Sequence, residues 1–179
     1  MKKLLALTTI ALFLTVNTLF SQGLDYDMWS IVETVDDFGD KTGNTVASYF
    51  SKGKFSNSAT TGEEMIFKIV DYGLNEDGEG QAQIDFYEYN KTQAKLAYDT
   101  KQGSFKVKLS DDSLMTFKCY ALKGGGLAVW DEDYKTLFDL INNGKSEKIR
   151  FVVNQSAFSE YGSSKYSGHF HTKAANQIK

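Results

Sequence analysis

The segment YSGHFHT places His169 and His171 either side of Phe170. On a β-strand, residues i and i+2 share a face, so both imidazoles can approach one zinc or copper ion. A metal site needs a third and usually a fourth ligand, and no HExxH or CxxC spacing supplies one. These are the chain's only histidines. A Ser-His-Asp arrangement would have to use one of them, yet no nucleophile-elbow sequence accompanies any serine. Asp36, Asp37 and Asp40 crowd the stretch DDFGDKTGN, which reads either as a cation or sugar loop or as plain turn chemistry, because Asp, Asn and Gly are the residues turns require. Asn75, Asp77, Glu79 and Gly80 imitate the start of a calcium loop, but the obligatory Glu at its twelfth position would be Phe86. Gly124, Gly125 and Gly126 lack the spacing of a dinucleotide loop. The acid pairs Asp36/Asp37 and Asp111/Asp112 fall in turns, where carboxylates are usually solvated; the defined separation across a cleft that glycosidase chemistry needs is not legible in a sequence. The sequence therefore assigns no catalytic, cofactor-binding or metal-ligating residue, and no cofactor. It predicts a protein that is not an enzyme. A hydrolase of envelope polymers and a metal-handling module built on His169 and His171 are the alternatives.

What surrounds these residues is a segment for export followed by one domain. Lys2 and Lys3 precede an apolar run from Leu4 to Val16, and Ser21 offers a small residue at a cleavage point. That order predicts a secretory signal over residues 1–21, too short in its apolar part to span a bilayer. The formal charge of −3 becomes −5 once Lys2 and Lys3 are removed. A mildly acidic chain lacks the basic stripe that nucleic acid selects. Residues 22–179 suit a single domain able to bury a large core without disulfides. The single Cys119 cannot bridge within its own chain. Proline is absent, so Gly, Asn and Asp must make every turn.

Period-two alternation marks most of the mature chain as half-buried strands. Phe105, Val107 and Leu109 share a face, as do Ala82, Ile84 and Phe86, and Ile149, Phe151 and Val153. MIFKIVDY reads as a strand covered on both sides. LMTFKCYAL pairs with SFKVKLS across residues 110–113, which makes Cys119 a small core residue beside Phe117 and Ala121. VASYF and GKFSN read as two short strands joined by a turn at Ser51, Lys52 and Gly53. One helix is predicted in DEDYKTLFDLINNG, with Asp131 as N-cap and Gly144 ending it. Its stripe is Tyr134, Leu137, Phe138 and Ile141. Tyr87 and Tyr89 fall on the polar face of their strand, where amphipathic rings suit protein or carbohydrate contact. The fold class expected is an antiparallel β-sandwich with one amphipathic helix packed on it.

The order of parts, with Trp29 in the first strand, Phe138, Leu140 and Ile141 in the helix, and Tyr166 and Phe170 near the end, resembles the exported β-sandwich proteins of the invasion-associated locus B and type VI secretion accessory TagO kind. The resemblance implies an envelope location. Those families carry conserved cysteines where this chain has only Cys119, and no catalytic residue transfers. The function expected is a periplasmic or secreted binding or accessory protein of a bacterial envelope, whose partner is a protein or glycan of that envelope. No nucleic acid and no stable membrane insertion are expected.

Overall fold

The computed structural model describes residues 26–75, 78–89, 92–94, 102–122, 125–144, 148–154 and 164–173. Residues 1–21, read above as a signal, most of the C-terminal tail and Gly124 lie outside them. The strands are β1 (Met28–Val35), β2 (Lys41–Ser56), β3 (Glu63–Leu74), β4 (Gly80–Glu88), β5 (Thr92–Gln93), β6 (Gln102–Lys108), β7 (Leu114–Ala121), β8 (Leu127–Trp130), β9 (Lys148–Asn154) and β10 (Lys165–His171), with α1 (Asp131–Asn143) between β8 and β9.

The expected sandwich is not what forms. β2 pairs with β3 along one edge and with β10 along the other, so β2-β10-β9-β6-β7-β8-β4-β3 closes on itself as an eight-stranded antiparallel barrel. Two meanders, β2-β3-β4 and β6-β7-β8, meet through β4 and β8. The β9–β10 pair bridges β6 to β2 and completes the ring. Alternation of apolar and polar residues serves the inner face of a barrel as well as that of a sandwich. The pattern is therefore silent on closure.

Closure depends on one long strand that the sequence reading divided. VASYF and GKFSN belong to the unbroken β2, and Ser51, Lys52 and Gly53 sit in mid-strand instead of at a turn. Gly53 is needed there for space: a Cβ would lie 2.5 Å from the Ser167 carbonyl oxygen of β10 and 2.7 Å from Met65 Cε. An apparent turn residue is in fact where two strands and a core side chain press closest.

Eight strands enclose a lumen that side chains can fill or that can hold one small ligand. Here side chains fill it. Phe67 meets Phe151 edge-on at 4.7 Å between ring centroids, Phe86 stacks on Tyr166 at 4.5 Å, and Phe105 lies 5.5 Å from Phe151. Phe117, Cys119 and Ala121 face inward as predicted, and Phe138 packs against the same core while only partly buried. The outward faces of β6, β7 and β9 expose Lys106, Lys118 and Arg150. On β6, β7 and β9 the apolar side faces inward, whereas the outer face of β2, β3 and β4 carries a second buried apolar cluster of Phe50, Ile66 and Tyr87. Among the described residues no helix is long and apolar enough to cross a membrane.

The helix closes one end of the barrel with Tyr134, Leu137 and Ile141. Asp131 does not cap it. Trp130 holds the N-cap position in extended backbone with no side-chain capping bond, and Asp133 accepts a hydrogen bond from the Lys118 backbone of β7 (3.2 Å). Gly144 ends α1 with its N–H on the Leu140 carbonyl, but without a left-handed φ. Its lack of a side chain leaves room for Thr172, whose Cγ2 would sit 2.9 Å from an added Cβ.

Candidate functional site

Four arrangements of polar or exposed side chains stand out. The first lies on the β1–β2 hairpin. Beyond Ala47 this ribbon leaves the barrel, since β3 pairs with β2 only from Ala47 to Phe55, and it projects as an arm past the end that α1 closes. Its turn contains the Asp-rich stretch. One oxygen of Asp36 accepts the backbone N–H groups of Phe38 and Asp40, each at 2.9 Å. The Asp36 N–H reaches the Asp40 carbonyl at 2.8 Å. The aspartate thus makes the turn itself, as Asx chemistry does. Lys41 pairs with Glu33 at 2.6 Å, and the Thr34 and Thr42 hydroxyls meet across the ribbon. The effect is to hold Phe38 in water, 93% exposed, with Val32 and Val35 at 60% and 56%.

The second arrangement sits in the barrel seam. After Ser167, β10 leaves the edge of β2 and β1 takes its place from Phe50 onward. Asp27, at the root of β1, accepts the hydroxyls of Ser51 and of Tyr49 (3.2 Å). His169 Nε2 lies 3.7 Å from the same carboxylate oxygen. The rings of His169 and His171 stand 5.8 Å apart, so the structure brings together the two histidines that the sequence paired. Their arrangement is not that of a hydrolytic triad, in which the imidazole receives the serine proton: here the carboxylate does. Burial, the Lys148 charge and the His171 ring hold His169 below its usual range, with Asp27 pulling the other way. Among the described residues no group of three or more His, Cys, Asp or Glu is placed to hold a metal ion.

The third arrangement covers the outer face of β3 and β4. Phe50, Lys68 and Asp85 face one another across three strands, and Lys68 and Asp85 are only 5% and 4% exposed. Asp85 accepts the side-chain amides of Gln83 (2.9 Å) and Gln93 (3.4 Å). Burial drives its carboxyl above the ordinary range, against the help of Gln83, Lys68 and Gln93. The Lys68 ammonium lies 5.5 Å from the centre of the Phe50 ring and forms no salt bridge among the described residues. Burial lowers its pKa, and the Asp85 charge opposes the shift. Tyr72 and Tyr87 are pushed upward by burial and by Asp85, Tyr72 to about 12. The alternation of AQIDFYEY placed Asp85, Gln83 and Tyr87 on one face correctly, but as an exposed one. Ile66 and Val70, apolar on the same side of a strand predicted to be covered on both sides, were the available signal that this face is buried, against the lysine between them.

The fourth closes the helix end. Asp71, 2% exposed inside the barrel, receives the Tyr134 hydroxyl (2.5 Å), the Lys173 ammonium (2.8 Å) and the Gly73 N–H (3.1 Å). Every contact is internal, which marks it as a structural latch. A shallow depression of about 350 Å³ lies between β7 and the start of α1, lined by Phe117, Glu132 and Asp133 among others.

Tyr87, expected on the polar face of its strand, is buried, and Tyr89 is exposed; Tyr49 and Tyr166 are fully buried. Cys119 lies in the core, its thiol pushed up to about 12 chiefly by burial, which leaves little thiolate for chemistry. Asn75 forms a hairpin tip, its side chain accepting the Glu79 N–H at 2.8 Å. The chain matches no protein family, no curated protein and no solved structure.

Proposed function

We propose that this chain is an exported, non-catalytic binding or accessory protein of a bacterial cell envelope, and that it recognises a partner protein through the β1–β2 arm. Export is supported by Lys2, Lys3, the apolar run and Ser21 in residues 1–21. The observation that carries the binding reading is the distribution of apolar groups. Aromatic side chains fill the lumen, whereas Val32, Val35 and Phe38 stand in water on a projecting ribbon. Solvent-facing apolar residues gathered on one projecting element mark interaction surfaces. A phenylalanine held out by an Asx turn resembles the aromatic anchors that dominate protein interfaces. The serine, acid and histidine of the seam are not in the order that acyl-transfer chemistry uses, which supports binding over hydrolysis.

The test is affinity capture from envelope extracts with the wild-type protein and with Phe38→Ser and Val35→Ser. Both positions are exposed, so the fold should survive. Capture that fails with either variant supports recognition by the arm; identical capture by all three proteins would overturn it.

A further inference from the structure

We infer that the partner is engaged by strand addition: an extended peptide segment, basic at its N-terminal end, pairs antiparallel with the free edge of β1. This deepens the reading of the arm as the recognition surface and rests on it. The outer edge of β1 is free over only part of its length. At the root it is occupied, because Trp29 Nε1 donates to the His171 carbonyl at 2.7 Å and His169 faces Asp27. From Ile31 to Val35 no described strand pairs with it.

That free stretch has the chemistry of a strand acceptor. Ile31, Val32, Thr34 and Val35 are β-branched, and Glu33 is already paired with Lys41. Edge strands that must stay solitary are blunted by outward lysines, by proline or by a covering element. This edge carries no lysine and the chain no proline; its ladder with β2 is irregular between Glu33 and Val35, which leaves Ile31–Glu33 as the regular part of the free edge. A two-stranded ribbon is marginally stable alone, and a third strand would complete it.

A second copy of the chain fits this edge poorly. Two β1 strands paired antiparallel about the centre of Ile31–Val35 set Glu33 opposite Glu33, and like charges directly opposite destabilise a ladder. Registers that avoid this clash shorten an already short ladder, far below the roughly 1,200 Å² that stable interfaces bury. A different partner, with no acid opposite Glu33, avoids the charge clash. The arm's tip supplies its charge preference: Asp36, Asp37 and Asp40 cluster where an antiparallel partner's N-terminal end would lie. Lysine or arginine there would enter the field of this acidic turn, in which one Asp36 oxygen is held by two backbone N–H groups and Lys41 is paired with Glu33.

The probe is the capped peptide Lys-Lys-Thr-Val-Thr-Val-Thr, titrated into the full chain and followed by backbone amide NMR. Shifts confined to Ile31–Val35 and the tip are expected. The same peptide with its lysines moved to the C-terminal end should bind about tenfold more weakly, and so should the original peptide to Asp37→Lys. Val32→Lys, which plants an edge-blocking charge, should also abolish the shifts. Equal binding of the two peptides, or shifts elsewhere on the barrel, would overturn strand addition. So would a sedimentation result showing a dimer with its β1 amides protected. Envelope capture that depends on Phe38 but is not competed by the peptide would also sink strand addition, while leaving the arm as the recognition surface.

Discussion

At the scale of single residues, the informative group is Asp85. Its carboxylate is almost wholly buried on the outer side of the barrel, and Gly126 must lack a side chain because an added Cβ would collide with it. Burial raises its folded pKa above the unfolded value. Between those two values the native state binds the extra proton, so stability falls as pH rises through that window and stays reduced above it. At neutral pH the ionised form is thus a net cost to the fold. Asp85→Asn keeps an oxygen to accept the Gln83 and Gln93 amides and removes the buried charge. We expect it to raise the melting temperature at pH 7 and to lose that advantage in acid, below the ordinary carboxylate range, where the wild-type group is protonated in both the folded and unfolded states. A gain of about 1 kcal/mol would appear as roughly 2–4 °C for a domain of this size. Thermal unfolding under the two conditions decides it, and a variant less stable at pH 7 than in acid, relative to wild type, would show that the Lys68 charge outweighs burial.

At the scale of elements, the latch between β3, α1 and the end of β10 explains how a helix with no capping side chain stays docked. Tyr134 packs at a tilt against Phe138 and sends its hydroxyl to Asp71, which also holds Lys173. Tyr134→Phe preserves the ring and removes one donor from a buried carboxylate, a change that costs about 1–3 kcal/mol. Chemical denaturation should show that loss with the fold intact; a loss below about 0.5 kcal/mol, the range of ordinary surface substitutions, would mean that Lys173 alone satisfies Asp71. The sequence made α1 and its stripe legible, because Tyr134, Leu137 and Ile141 follow the helical period. The β6–β7 pairing was legible from alternation and a short turn. What it did not carry was the latch: Asp71 and Tyr134 are far apart in the chain, and an aspartate ending an apolar strand reads as a turn signal. The division of β2 at Ser51–Gly53 failed for a related reason. Gly53 answers to a close approach of β10, a tertiary demand that local turn chemistry imitates.

At the scale of the whole molecule, the barrel has a strong side and a weak one. β9 and β10 pair from Lys165↔Asn154 to His171↔Lys148, and β3 and β4 pair along most of their lengths. The ring is closed between β10 and β2 only at Lys165↔Ser56, Tyr166↔Phe55 and Ser167↔Lys54. Above that point the seam is held by side chains: Trp29 is fully buried, lies 5.2 Å from Tyr49 between ring centroids, and ties its indole to the His171 carbonyl. Nothing in the sequence distinguishes this closed ring from an open pair of sheets, since the same inward residues serve both; only the length of β2, with different partners at its two ends, decides it. Local opening follows the elements with fewest ladder bonds. The amides of Lys165–Ser167 and Lys54–Ser56 should therefore exchange with solvent sooner than those of β3 and β4. Trp29→Phe keeps most of the buried ring and removes the indole donor, leaving the His171 carbonyl without it. Exchange across β10 should then quicken by about tenfold, the consequence of losing about 1.4 kcal/mol from the opening equilibrium, while the β6–β7 amides keep their protection. Uniform acceleration throughout the barrel would mean that the seam has no independent opening and that the ring unfolds as one unit; no acceleration at β10 would remove Trp29 from the closure altogether.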